Sequence, residues 1–101
     1  MNDSDLLRRF VVEHSQDTFA ELVRRRIGLV YSAALRQVGG DAHHAEDVTQ
    51  EVFIDLARKT GSLRRHPALI DWLYTSTHFA AAKLIRTEQR RARREQEAHA
   101  R

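Results

Sequence analysis

Apolar residues recur along the chain at steps of three and four rather than two, a spacing that predicts helices and no strands. The longest run is Phe19, Leu22, Val23, Ile27, Val30, Tyr31, Ala34, Leu35 and Val38, one stripe facing a core. Thr18 and Glu21 stand ahead of it at the spacing of a capping box, and Gly39-Gly40 supplies a left-handed stop. Asp41 is the expected N-cap of a second helix, where Ala45, Val48, Thr49, Val52, Phe53 and Leu56 repeat the stripe until Gly61. Thr60 to His66 reads as a short polar loop, and Pro67 suits the first turn of a third helix. That helix is expected to bury Leu69, Trp72, Leu73, Ala80, Ala81, Leu84 and Ile85. Near the start, Leu6, Leu7, Phe10 and Val11 make a short amphipathic helix, and after Ile85 the periodic signal stops. Residues 87–101 are therefore expected to form a charged helical extension that frays. The fold class is all-α: a compact bundle of three main helices plus a short N-terminal helix.

Composition narrows the function. A length of 101 residues is one domain with one small core. The chain is 42% apolar, too much for disorder, and it has no cysteine. The missing thiols exclude a disulfide scaffold, a zinc finger and a thiol nucleophile together. No run approaches the roughly 20 apolar residues of a membrane span, and the charged start MNDSDLLRRF is unlike a signal peptide, so the cytoplasm is the expected location.

Charge changes the picture more. The net charge is only +3, but residues 41–55 hold Asp41, Glu46, Asp47, Glu51 and Asp55 with no Lys or Arg. Residues 83–101 carry seven basic and three acidic side chains. An acidic middle and a basic end suit two different partners, a cationic protein surface and phosphates.

Catalytic and metal chemistry find little support. His43 and His44 are neighbours beside Glu46 and Asp47, but adjacent helical residues point about 100° apart and do not converge on one ion. No HExxH, glycine-rich phosphate loop or GxSxG occurs. Thr75, Ser76 and Thr77 lie near His78 without a carboxylate to orient the imidazole. No enzyme activity, metal or cofactor is expected.

Two helix faces carry more information. Asp47, Gln50, Glu51, Ile54 and Arg58 share one face of the second main helix, opposite Val48, Val52, Phe53 and Leu56. Carboxylates, an amide and an apolar anchor suit docking on an arginine-rich partner helix. The last helix mixes Trp72, Tyr74, Thr75, His78, Phe79, Lys83 and Arg86, with cations continuing through Arg90 to Arg94. Aromatic rings stack unpaired bases while cations follow the phosphates, so this composition fits single-stranded nucleic acid. Arg64, Arg65 and His66 precede that helix, where they are placed to line a pocket for an extruded base. The alternative is a generic helical nucleic-acid-binding module with no protein partner, driven by the basic end alone.

The segment from Asp41 to Phe53, with Ala45-Glu46-Asp47-Val48-Thr49-Gln50-Glu51-Val52-Phe53 at its heart, resembles the DAxxAEDxxQEVF segment of bacterial sigma factors. Trp72-Leu73-Tyr74, followed by Lys83-Leu84-Ile85-Arg86 and a basic run, is similar to their WLY…(D/K)xxR helix. Both motifs stand in register over roughly residues 5–95, so the resemblance is to region 2 of the small extracytoplasmic-function group. It implies a module of transcription initiation whose Asp47, Gln50, Glu51, Ile54 and Arg58 face docks on the β′ clamp helices of RNA polymerase core. It further implies recognition of melted −10 promoter DNA, mainly the non-template strand. Ser62, Leu63, Arg64, Arg65 and His66 would border the base pocket, and Thr75, His78, Phe79, Lys83, Arg86 and Arg90 would face DNA. An anti-sigma factor is a further partner that the resemblance admits. Phe79 stands where many relatives carry Asn, replacing an amide with a stacking ring. The expected division is a region 2-like domain over 1–95 and the start of a charged linker over 96–101, with no C-terminal helix-turn-helix domain. Alone, such a chain is expected to bind core polymerase weakly.

Overall fold

The computed structural model describes residues 1–63 and 68–100. Four helices follow in order: α1 (Asp3–Glu13), α2 (Gln16–Gln37), α3 (Ala42–Leu63) and α4 (Leu69–His99). All pack on one core. The described residues contain no strand, and none of their helices is long and apolar enough to cross a membrane. The expected class, three main helices and a short leading one, is what the chain adopts.

Local chemistry sets most boundaries. Asn2 caps α1 through its side chain, which accepts from the Asp5 backbone at 2.8 Å, while Asp5 reaches back to the Asn2 backbone at 3.3 Å. At the start of α2 the reading of Thr18 and Glu21 as a capping box is corrected. The cap is Ser15, whose hydroxyl accepts from the Thr18 backbone at 3.3 Å. Glu21 turns instead to Arg24 and Arg25, at 2.8 and 3.2 Å, and the hydrogen bonds from them hold its carboxyl below its ordinary range. Gly39 and Gly40 end α2 in the left-handed region, at φ +67° and +83°, where a side chain would be strained. Asp41 opens α3 as expected, its carboxylate accepting from the His44 backbone at 3.0 Å.

The end of α3 is a second correction. Gly61 does not stop the helix, which continues to Leu63, so Thr60, Gly61, Ser62 and Leu63 are helical rather than part of a loop. Leu63 is only 5% exposed and packs in the core. Burying a leucine contributes about 1.5–3 kcal/mol, more than the roughly 1 kcal/mol that an interior glycine costs. The expected loop residues Arg64, Arg65 and His66, and Pro67 with them, lie outside the described residues.

The core is built from both large and small side chains. Leu7, Leu22, Leu56 and Leu73 are fully buried, and Ala33, Ala34, Ala45, Ala80 and Ala81 lie among the buried residues of α2, α3 and α4. Buried hydroxyls satisfy themselves on their own helices: Thr49 donates to the Ala45 carbonyl at 2.7 Å and Thr77 to that of Leu73 at 2.6 Å. The N-terminal helix is fastened to α2 by ring packing and by an ion pair. Phe10 packs on Phe19, with centroids 4.8 Å apart, and Arg26 pairs with Asp3 at 2.7 Å in a largely desolvated contact. The α4 extension is helical to His99, although residues 89–100 are exposed. Its Arg, Glu, Gln and Ala residues are strong helix formers, and Arg91 pairs with Glu88 at 2.9 Å.

Two outcomes follow from this architecture. Leu73→Ala, at a fully buried position of α4, lowers unfolding free energy by about 2–5 kcal/mol in denaturant titration. Asp41→Ala lowers the melting temperature at neutral pH. The His44 backbone N–H, then the charge of His44, holds the Asp41 carboxyl below its ordinary value, so its stabilisation is complete above the ordinary aspartate range. It is lost as pH falls through the depressed value, and the melting temperatures of the two proteins converge there.

Candidate functional site

The inward face of α3 decides what its outward face presents. Ala45, Val48, Thr49, Val52, Phe53, Leu56, Thr60 and Leu63 are buried, which leaves Asp47, Gln50, Ile54 and Arg58 exposed and Glu51 half-buried. Asp47 has no ion pair among the described residues, whereas Arg58 stands 3.9 Å from Asp55 in an exposed pair. Ile54 is 46% exposed, a large apolar side chain held in water by the helix it sits on. The five residues read from the sequence as one face are therefore brought together.

Beside this face runs a groove that sequence reasoning missed. Its walls are Phe19, Val23, Ile27 and Tyr31 from α2 and Thr49, Gln50, Phe53, Ile54 and Ala57 from α3, with Glu46 at the rim, and it encloses about 450 Å³. The apolar stripe of α2 is expected from the sequence to place all its side chains in the core. Instead Ile27 is 46% exposed and Phe19, Val23 and Tyr31 are half-buried. The signal lies in their spacing: positions 19, 23, 27 and 31 form a column of their own at steps of four, beside the buried column of Leu22, Val30 and Ala33. A stripe that wide exceeds what one core contact covers.

On α4, the buried residues Leu69, Leu73, Thr77, Ala80 and Ala81 turn Thr75, His78, Phe79, Lys83, Arg86 and Arg90 outward, all exposed. At about 100° per residue these six occupy an arc of about 140°. Phe79 is 66% exposed, and the His78 ring meets it edge-on, with centroids 5.7 Å apart. Tyr74, four residues before His78, is a second exposed aromatic on the flank of the arc. Two contacts tie the edges of this surface to the rest of the bundle. His78 Nδ1 lies 3.2 Å from Gln37 Oε1 at the end of α2, and Lys83 Nζ pairs with Glu51 of α3 at 3.1 Å. The acidic face of α3 and the cationic face of α4 are thus neighbours joined by an ion pair.

The end of α3 contributes less than expected. Ser62 is exposed, its hydroxyl donating to the Lys59 carbonyl at 3.0 Å. Leu63 is not available to border a base pocket, because its side chain belongs to the core. Arg64, Arg65 and His66 lie outside the described residues. Among the described residues, no group of three or more acidic, histidine or cysteine side chains is placed to hold a metal ion.

Comparison with known proteins bears on these surfaces. The family model for sigma-70 region 2 matches residues 22–91, which span α2, α3 and the buried part of α4. The chain is 33% identical over 94 residues to a protein described as the ECF RNA polymerase sigma factor SigK of Mycobacterium sp. strain KMS, and to its counterpart in strain JLS. The alignment covers 92% of this chain and 48% of each relative, so the chain spans about half the length of the curated relatives it matches. No solved structure matches it.

The Glu51–Lys83 pair is more than a third exposed on both sides, so it contributes little by itself. A double-mutant cycle with Glu51→Gln and Lys83→Met, read by urea unfolding, gives a coupling of about 0.2–1 kcal/mol that shrinks as salt is added.

Proposed function

The chain belongs to the sigma-70 region 2 family, and from that premise we propose that it serves transcription initiation by joining RNA polymerase core to melted promoter DNA. It does no covalent chemistry. The outward face of α3, with Asp47, Gln50, Glu51, Ile54 and Arg58, docks on the β′ clamp helices. The outward face of α4, with Thr75, His78, Phe79, Lys83, Arg86 and Arg90, holds the non-template strand of the −10 element. Ser62 and the residues 64–66 border that strand. Residues 1–95 form the region 2 unit and 96–101 begin a linker, and the protein works in the cytoplasm.

The observation that carries this reading is the exposed Phe79 ring set among His78, Lys83 and Arg86 on one helix face. A large aromatic left in water by an otherwise well-buried helix is a stacking platform in waiting. Opening duplex DNA costs about 1.4 kcal/mol per step, and stacking on an aromatic side chain contributes about 1–3 kcal/mol per base, enough to offset it. The α3 face supports the other half. Its carboxylates and amide accept and donate toward arginines, Ile54 and the adjoining apolar groove receive side chains, and its negative charge disfavours DNA there.

Retention on immobilised core polymerase, measured beside affinity for single-stranded DNA, tests both halves. The triple variant Asp47→Ala/Gln50→Ala/Glu51→Ala loses retention while its DNA affinity does not fall. Arg86→Ala keeps retention, binds single strands more weakly and, with one phosphate fewer neutralised, flattens the log–log salt dependence by about 0.7. Arg86 is the cleaner probe, since Lys83 is already paired with Glu51. Full retention of the triple variant overturns polymerase docking through α3 and favours a nucleic-acid module driven by its basic end alone.

A further inference from the structure

Gln37, the last residue of α2, is half-buried, and its side chain is the one group of that helix hydrogen-bonded to the outward face of α4 among the described residues. Its Oε1 lies 3.2 Å from His78 Nδ1. An amide oxygen only accepts, so Nδ1 carries the proton and donates, and in the neutral imidazole Nε2 is then the acceptor. Among the described residues neither Gln37 Nε2 nor His78 Nε2 has a hydrogen-bond partner. The same imidazole meets the exposed Phe79 ring edge-on, at 63° and 5.7 Å between centroids. A donor and an acceptor, both uncharged, therefore accompany an aromatic platform. A phosphate offers acceptors only, whereas a base edge offers an acceptor beside a donor. The pair fits a base edge.

We propose that Gln37 is a specificity-determining residue for single-stranded nucleic acid, hydrogen-bonding together with His78 to the edge of a base stacked on Phe79. This rests on the reading of the α4 face as a single-strand surface. It adds to that face a residue from another helix, held in place by a hydrogen bond between side chains 41 positions apart. The cations of α4 follow the backbone whatever the sequence, and Phe79 stacks any base. The amide and imidazole offer a donor and an acceptor held by their mutual hydrogen bond, a pattern that only some base edges match.

The test is binding of the whole chain to short single-stranded DNAs carrying each of the four bases in turn at every position. Wild type, Gln37→Ala, Gln37→Glu and Phe79→Ala are compared, with helicity checked by circular dichroism. Wild type discriminates among bases at one position by about fivefold or more. Gln37→Ala reduces that discrimination below about twofold and leaves affinity for the least favoured base unchanged. Gln37→Glu keeps the acceptor facing His78 but removes the donor, so it also abolishes discrimination, on top of a uniform fall from its added negative charge. If Gln37→Ala keeps the discrimination, or weakens binding equally for all four bases, the proposal is overturned and the α4 surface stands without it. If wild type fails to bind, or Phe79→Ala binds as well as wild type, the single-strand reading falls and the role of Gln37 falls with it.

Discussion

The molecule depends on how closely α4 can approach α2 and α3. Ala33 and Ala34 on α2, Ala45 on α3 and Ala80 and Ala81 on α4 are all 8% exposed or less, and each adds only a methyl group to the interior. Leu7, Leu22, Leu56 and Leu73 fill the space around these small residues without remaining exposed. Thr77 shows the same demand in polar form. It is completely buried, and its hydroxyl is folded back onto the Leu73 carbonyl, so it asks nothing of its neighbours. A chain of this size buries only about two-thirds of its unfolded surface, and its stability margin is of the order of 5–15 kcal/mol. The seam is therefore where a rigid α4 is won or lost, and the face of α4 proposed to hold nucleic acid lies on its other side.

Fixing α4 in this way also settles how the two proposed faces relate. Along the chain the acidic segment and the basic segment are separate, which suggests two surfaces that keep apart. In the fold they meet, because the outward edges of α3 and α4 are adjacent and Lys83 reaches Glu51. A carboxylate read as part of one partner's docking face neutralises a cation read as part of the other's. The pair is weak, but it shows that charge separation in sequence became charge complementarity in space. Asp47, on the same face, has no ion pair among the described residues.

Much of this is legible in the residues themselves. Helical period is a strong local signal, and all four helices, the Gly39-Gly40 stop and the Asp41 cap follow from it. The misjudged boundaries have a common cause: local punctuation gives two acceptable answers. Ser15 and Thr18 are both good caps, and Gly61 stops a helix only when nothing beyond it gains by burial, whereas Leu63 does. A loop that starts too early also puts Leu63 in a nucleic-acid pocket instead of the core. The apolar groove is hidden for a different reason. Periodicity reports that a residue faces the bundle, not whether a neighbouring helix is wide enough to cover it, and Ile27 is left half in water. The pairings of Gln37 with His78 and of Glu51 with Lys83 span 41 and 32 positions, and no local rule brings such residues together.

The length of α4 gives the proposed nucleic-acid face a graded character. Thr75, Phe79, Arg86, Arg90 and Arg93 fall within about 60° of one another around the helix, and Phe79 and Arg93 are about 21 Å apart along it. The first part of this line is backed by buried Leu73, Thr77, Ala80 and Ala81, while the part beyond Gln89 projects from the bundle with no core behind it. Reading a base edge demands hydrogen-bond geometry held to a few tenths of an ångström, which only the backed part can supply. Following a phosphate demands little more than charge at the right distance, which a projecting helix supplies well. Aromatic and amide chemistry therefore belongs over the core and guanidinium chemistry beyond it. Phe79 stands over the core and Arg90 and Arg93 stand beyond it, with Lys83 and Arg86 between them, so the proposed division of labour along α4 follows where the bundle ends.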